Sequence, residues 1–218
     1  VFERRPTRTV WTIVAIVALA GALLIVTGRI DWAAVIGGFI PARIGIDPAL
    51  VAGLPLAPVW ITLLSATLIH DGWAHLGFNL FSVLVVATPT QRAVGTRGLV
   101  VLWLVGAYAA AAAQWAVDPA STVPAIGASG AISALIGAYA LLFGQGKAKA
   151  IGPVPAHVAH ALWLGAGWTM LNLLIGWASA QGGAPIGWAA HIGGFVAGMV
   201  LLRPLLKWRW RAKGVVGG

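Results

Sequence analysis

The sequence predicts an all-α fold, a polytopic membrane bundle of six transmembrane helices. Three observations carry that prediction. The 218-residue chain is 60% hydrophobic and 9% charged, where soluble domains carry about a quarter charged residues. It contains several apolar runs long enough to cross ~30 Å of hydrocarbon, which takes about 20 helical residues. Its lysines and arginines gather on alternate connections between those runs. The chain reads as a single domain over residues 1–218, with short cytoplasmic tails at 1–9 and 207–218 and no room for a soluble domain between spans.

The first span is expected from Val10 to Val26, behind the basic Arg4, Arg5 and Arg8. A basic segment before an apolar run also fits a signal peptide, but Ala18-Leu19-Ala20 is a poor cleavage site and the topology closes better with the span retained. Residues 28–59 carry Pro41, Pro48, Pro55 and Pro58 among Trp32, Phe39 and other apolar side chains. That segment is too broken to span and too apolar for a solvated loop, so it is placed along the membrane interface. The second span follows from Gly72 to Thr88, with Asp71 as its N-cap and Pro89 as its stop. The third covers Leu99 to Val117 and ends at Asp118-Pro119. The fourth is the short run Ser129–Phe143, the fifth Val158–Ala178, and the sixth Ile186–Leu202, opened near Pro185 and closed by Arg203-Pro204.

Charge orients the bundle. With the N-terminus inside, the inner segments hold Arg4, Arg5, Arg8, Arg92, Arg97, Lys147, Lys149, Arg203, Lys207, Arg209, Arg211 and Lys213, and the outer ones only Arg29 and Arg43. Such a bias sets both termini in the cytoplasm. It also accounts for the net charge of +9 without a nucleic-acid partner. With no cysteine, a disulfide, a thiolate nucleophile and a cysteine-ligated metal are excluded. No internal repeat or pair of matching broken helices points to an inverted-repeat transporter.

Polar side chains inside spans are costly and mark function by default. Here they are His75 and Asn79 in span two, Ser129 and Ser133 in span four, Asn172 in span five and His191 in span six. His75 and Asn79 stand at i and i+4 on one helix face. His191, Gly194 and Gly198 share a face of span six, and Ser129, Ser133, Gly137 and Ala140 share one on span four. Packing these two small-residue faces brings Ser129 to His191. Helical rise places Ser129 about 21 Å above Phe143, His191 about 18 Å above Arg203 and His75 about 20 Å above Thr88. All three then lie roughly 10 Å below the outer surface of a ~30 Å core.

That convergence points to nucleophilic catalysis. A neutral His191 can take the Ser129 proton as the oxygen attacks a carbonyl. Every Asp and Glu lies in a loop or tail, so the site reads as a Ser–His dyad. The Ser129 backbone N–H, the Asn79 amide and the His75 ring are the expected oxyanion donors. Gly127 and Gly130 permit close approach to the serine, and Gly127, Gly130, Ser133, Gly137, Gly194 and Gly198 are read as packing residues. Taken singly, each has a plainer reading: Ser129 as a packing residue, His75 and Asn79 as helix bridges, Gly194 and Gly198 as a small-residue stripe. Ala131 also departs from a G-x-S-x-G nucleophile elbow. His70 stands near the outer end of span two, and His157 and His160 read as interfacial. There is no H-E-x-x-H, and no metal or other cofactor is predicted, although a site from His70, His75 and His191 stays open.

At these residues the chain resembles the rhomboid family of intramembrane serine proteases. His75-Leu76-Gly77-Phe78-Asn79 matches its H-x-x-x-N, and Gly127-Ala128-Ser129-Gly130 its G-x-S-G. Ala190-His191-Ile192-Gly193-Gly194-Phe195-Val196-Ala197-Gly198 matches its A-H-x-x-G-x-x-x-G. The resemblance runs from about Val10 to Leu206 and implies a six-helix rhomboid-like bundle. It further implies cleavage of transmembrane protein substrates in a lipid bilayer near the outer face, with Ser129 as nucleophile, His191 as base and His75 and Asn79 holding the oxyanion. Substrates would enter between spans two and five. Two departures stand out: Trp60 is followed by Ile61 where many members have Trp-Arg, and Ser133 stands where some bacterial members place an aromatic against the histidine. The competing readings are a catalytically silent rhomboid-like protein that binds membrane clients, and a small transporter. The short basic tails favour a bacterial inner membrane.

Overall fold

A computed structural model describes residues 5–143, 149–181 and 187–211. Arg4, Lys147, Pro185, Ile186 and Lys213, used above to place the spans, lie outside the described residues. The described elements are helical, with α1 at Arg8–Val26, α2 at Ile30–Gly37, α3 at Val59–Ser65, α4 at Trp73–Val117, α5 at Ser129–Phe143, α6 at Ala156–Gln181 and α7 at Trp188–Arg211. Four of them, α1, α4, α6 and α7, are long and apolar enough to cross a membrane, and α5 is a shorter apolar helix. Six separate spans are therefore not what the helix boundaries give.

The difference lies in α4. At about 1.5 Å per residue its 45 residues would measure roughly 68 Å if straight, over twice a bilayer core. The chain breaks instead at Gly95, whose φ of 81° and ψ of 171° leave helical space in a region that L side chains avoid. The expected stop at Pro89 is thus corrected: helix continues through it to Val94. Proline forfeits one backbone hydrogen bond, whereas Gly95 leaves helical φ/ψ altogether. The carbonyls left open before the break are met from α7, where Arg209 Nη1 donates to Gln91 O at 3.2 Å and to Arg92 O. Gln91 Nε2 donates to Thr96 Oγ1 across the break at 2.8 Å. Thr7, which caps α1 by accepting from Val10 N, donates its hydroxyl to Gln91 Oε1. A cation at a helix C-terminus is also favoured by the helix dipole.

The same bonds explain the second correction. Arg203-Pro204 does not end the last helix: α7 runs through Pro204 to Arg211. Its final turns are held by Leu205, buried in the core, and by Arg209 at the α4 break.

Helix α5 sits at the centre. Eight of its residues, from Gly130 through Ala138, are buried, against both arms of α4 and against α7. Glycine sets the spacing. A Cβ on Gly198 would overlap Ala134 O and stand 2.6 Å from its carbonyl carbon. One on Gly194 would overlap Gly130 O, and one on Gly137 would overlap Phe195 O. On the α4 side, a Cβ on Gly106 would meet Ala134 Cβ at 2.5 Å. The three helices therefore meet backbone to backbone, as small residues allow in a bilayer. Around them pack Val10, Val83, Leu99, Leu102, Leu135 and Leu202. Helix α6 rests mainly on α7 and leaves Leu162, Trp163, Met170, Leu174 and Trp177 exposed, the surface expected to face lipid.

The interfacial segment folds into α2, α3 and three short 3-10 turns. Without an arginine after Trp60, its anchors are Arg43, whose Nη2 donates to Ala57 O at 2.6 Å, and Tyr108, whose hydroxyl donates to Trp60 O at 3.0 Å. Phe39 and Ala125 exchange backbone hydrogen bonds of 3.0 and 2.7 Å. Gly127 N donates to Ala66 O at 2.9 Å. The strand of chain leading into Ser129 is thereby pinned on both sides.

Candidate active site

Ser129 opens α5, where the first backbone N–H groups of a helix have no partner within it. Gly127, two residues earlier, has a φ of 106°, so the turn into the helix requires glycine. A Cβ there would sit 2.6 Å from His75 Nε2. Gly127 is therefore not a helix-packing residue as expected; it makes room for the His75 ring over the backbone just before the serine.

Packing of α5 on α7 brings Ser129 Oγ to 2.8 Å from His191 Nε2. The other ring nitrogen, Nδ1, lies 2.8 Å from Asn172 Oδ1 on α6. Asn172 is 3% exposed, and its Nδ2 donates to Trp168 O at 2.9 Å, one turn back. Trp168 Nε1 donates to His191 O at 3.2 Å, and the indole stacks on Phe195 with ring centroids 4.9 Å apart. Ser133, in the place expected for an aromatic, instead donates its hydroxyl to Ser129 O at 2.8 Å.

His75 Nδ1 is 2.8 Å from Asp71 Oδ1. Asp71 consequently does not cap α4; Gly72 holds the cap position without a side-chain bond, because the carboxylate is engaged by the histidine one turn on. Asn79 is buried, and its Nδ2 donates to His75 O at 2.9 Å, which leaves one amide hydrogen unspent. His70, in the connection before α4, is fully buried and packs edge-on to His75 at 4.9 Å. Its Nε2 accepts a 3.5 Å bond from Ala128 N. Burial, with His75 adding to it, pushes the His70 ring down to about 4.

Ser129, His191 and His75 thus come together, while Asn79 spends one of its amide hydrogens on its own helix. Asn172, noted in the sequence only as a polar residue of span five, and Trp168, not singled out, reach the same place. The helical rise that levels the other polar groups also places Asn172 about 21 Å above Val158, the depth of Ser129, and that signal was available in the sequence. His157 is exposed and His160 half-buried at the start of α6. Among the described residues no group of three His, Cys, Asp or Glu side chains is placed to share a metal ion.

Chemically, the arrangement offers a hydroxyl hydrogen-bonded to an imidazole nitrogen, beside a helix N-terminus whose free N–H groups and dipole favour negative charge. This is the geometry of an activated nucleophile with a prospective oxyanion site.

Comparison with known proteins gives the family. The chain is 26% identical over 139 residues to Rhomboid protease GluP of Bacillus subtilis, covering 64% of this chain and 25% of that protein. It is 33% identical over 78 residues to Rhomboid-like protein 11, chloroplastic, of Arabidopsis thaliana, covering 36% and 28%. It is 25% identical over 145 residues to Rhomboid protein 1, mitochondrial, of Saccharomyces cerevisiae, covering 64% and 40%. The chain thus spans a quarter to two-fifths of the length of these relatives. A sequence model of the rhomboid domain matches residues 57–208, which include Ser129, His191, His75 and Asn79. With apolar helices of membrane-crossing length and a family match over most of its sequence, the chain is an integral membrane protein that belongs to the rhomboid family.

Proposed function

We propose that this protein is an intramembrane serine endopeptidase that cleaves transmembrane segments of other proteins near the outer face of the bilayer. The observation that carries the reading is the 2.8 Å bond between Ser129 Oγ and His191 Nε2. Family membership supports it, as does the name of the Bacillus subtilis relative, a rhomboid protease. In this reading the two arms of α4 are separate crossings and α5 is a sixth, short one. The lysine and arginine bias supports cytoplasmic termini.

His191 Nε2 accepts the Ser129 proton while Oγ bonds to the scissile carbonyl carbon. The oxyanion forms at the start of α5, where the Ser129 N–H and the remaining Asn79 amide hydrogen are the candidate donors. With its Nδ1 hydrogen given to Asp71, His75 donates from Nε2 only when its ring carries both protons. His191 then passes its proton to the leaving amine nitrogen as the C–N bond breaks. Water, deprotonated by the same nitrogen, releases the acyl group from Ser129.

The test is incubation of purified protein in bilayers with a helical membrane substrate, beside Ser129→Ala and His191→Ala. Cleavage by wild type and none by either variant is expected. A fluorophosphonate should label wild type and not Ser129→Ala. Undiminished cleavage by Ser129→Ala would overturn the assignment. Client retention without cleavage by any form would favour a silent binding protein.

A further inference from the structure

We propose that Asn172 is a positioning residue of this site: its side-chain carbonyl holds His191 in the Nδ1–H tautomer and so leaves Nε2 bare to accept the Ser129 proton. The inference rests on the reading of Ser129 and His191 as nucleophile and base, and it replaces a bare dyad with a Ser–His–Asn arrangement.

The amide orientation follows from its second partner. Asn172 Nδ2 lies 2.9 Å from Trp168 O, a carbonyl that can only accept. Turning the amide over would set two acceptors against each other, so the nitrogen belongs there and Oδ1 faces His191 Nδ1 at 2.8 Å. Amide assignments of this kind are decided by such networks. A carbonyl oxygen has no proton to give, so Nδ1 carries the hydrogen. A neutral imidazole has one N–H, which leaves Nε2 as an acceptor, and Nε2 is the nitrogen on Ser129 Oγ. After proton transfer both ring nitrogens carry hydrogen, and the Nδ1–H bond to Oδ1 persists through the reaction.

Among the described residues, the other nearby polar side chains are committed elsewhere. Ser133 is committed to Ser129 O, and Trp168 takes the His191 backbone carbonyl rather than the imidazole. Trp168 and Asn172 are one turn apart on α6, so one helix face fixes both the backbone and the ring of His191. Asn172 is buried on a helix whose neighbouring Leu171, Leu173 and Leu174 are exposed, so the amide is on the face of α6 turned to the protein. An asparagine serves the same orienting purpose behind the histidine of papain-like proteases, and a histidine in the wrong tautomer costs a serine protease about 10⁴ in rate.

The full chain in bilayers supplies the test, with two readouts. In kinetics, Asn172→Ala should lower kcat about 100-fold with KM within about twofold, at a thermal midpoint close to wild type. Asn172→Asp, as the protonated acid that donates to Trp168 O in place of the amide, keeps an oxygen acceptor for Nδ1–H and should recover at least a tenth of wild-type kcat. In ¹⁵N NMR of histidine-labelled protein, His191 should carry its hydrogen on Nδ1 in wild type and lose that preference in Asn172→Ala. Wild-type kcat in Asn172→Ala, or a wild-type ring protonated on Nε2 alone, would overturn the proposal. The two readings separate cleanly. If wild type cleaves nothing, or Ser129→Ala cleaves as well as wild type, the protease reading falls. The tautomer measurement on wild type still decides the role of Asn172.

Discussion

Substitution of Gly198 by alanine tests the claim that backbone contact between α5 and α7 positions the reacting pair. The added methyl would overlap Ala134 O and stand 2.6 Å from its carbonyl carbon and 2.8 Å from its Cα. These are backbone atoms of the central helix and cannot rotate away. Restoring ordinary contact at 3.4 Å to the carbonyl carbon requires a separation of at least about 0.8 Å, the oxygen being closer still. His191 stands seven residues above Gly198 on α7, about 10 Å, and Ser129 five above Ala134 on α5. If the helices part as rigid bodies, the Ser129–His191 distance opens from 2.8 Å to about 3.6 Å, which is no longer a hydrogen bond. A misplacement near 1 Å costs on the order of 100-fold in rate, and overpacking costs about 1–3 kcal/mol of stability, offset in part by the helix propensity alanine gains. The assay is kcat/KM for a membrane substrate together with the fluorophosphonate labelling rate, both expected to fall 30- to 100-fold. Gly165→Ala is the control, because nothing lies within 4 Å of a Cβ there and it should leave both rates unchanged. Wild-type rates and stability in Gly198→Ala would refute the packing argument.

Three further expectations follow from the surrounding bonds. Asp71→Ala removes the Nδ1 partner of His75 while altering a largely exposed side chain, so kcat should drop about tenfold with stability within ~0.5 kcal/mol, read from paired kinetic and thermal measurements. At the α4 break, Gly95→Ala forces a side chain to φ 81° and should cost about 1–3 kcal/mol; Arg209→Ala frees the Gln91 and Arg92 carbonyls and should cost about 1–2 kcal/mol, both measured by thermal unfolding in detergent. For His70, held neutral at about 4 against 6.5 unfolded, the unfolded chain binds the extra proton as pH falls below 6.5. Stability should therefore be full above pH 6.5 and decline by up to about 3 kcal/mol towards pH 4, with a shallower decline in His70→Gln.

What could be read from the sequence was whatever depends on periodicity and residue size. The faces Ser133–Gly137 and Gly194–Gly198 specify a close helix contact by their lack of side-chain volume, and α5 begins at Ser129 and ends at Phe143 as the apolar run does. Prolines misled twice for one physical reason. A proline removes a single hydrogen bond, and helices buried in a bundle tolerate that loss at Pro89 and Pro204, whereas Gly95 carried the conformation that turns the chain. Asp71 looked like a cap because capping is a local rule, yet a histidine one turn later competes for the same carboxylate. Asn172 escaped for a different reason: its partner lies on another helix, and only depth, not local pattern, connects them.

An orienting asparagine also suits where this site lies. Serine proteases in water place a carboxylate behind the histidine, where its charge stabilises the imidazolium. Within a bilayer an ionised carboxylate without a full set of partners carries a large desolvation cost, and among the described residues no acid, Asp71 included, lies in a helix of membrane-crossing length. An amide supplies the same acceptor geometry at Nδ1 without adding a charge, and Asn172 spends its amide nitrogen on Trp168 O, satisfying that donor inside α6. The electrostatic help forgone is then the burden of the oxyanion side, where the start of α5, Asn79 and the Asp71-bonded His75 gather. On the proposed reading, orientation comes from α6 and charge stabilisation from the α4–α5 junction, so Asn172 variants should alter the tautomer of His191 and Asp71 variants should not.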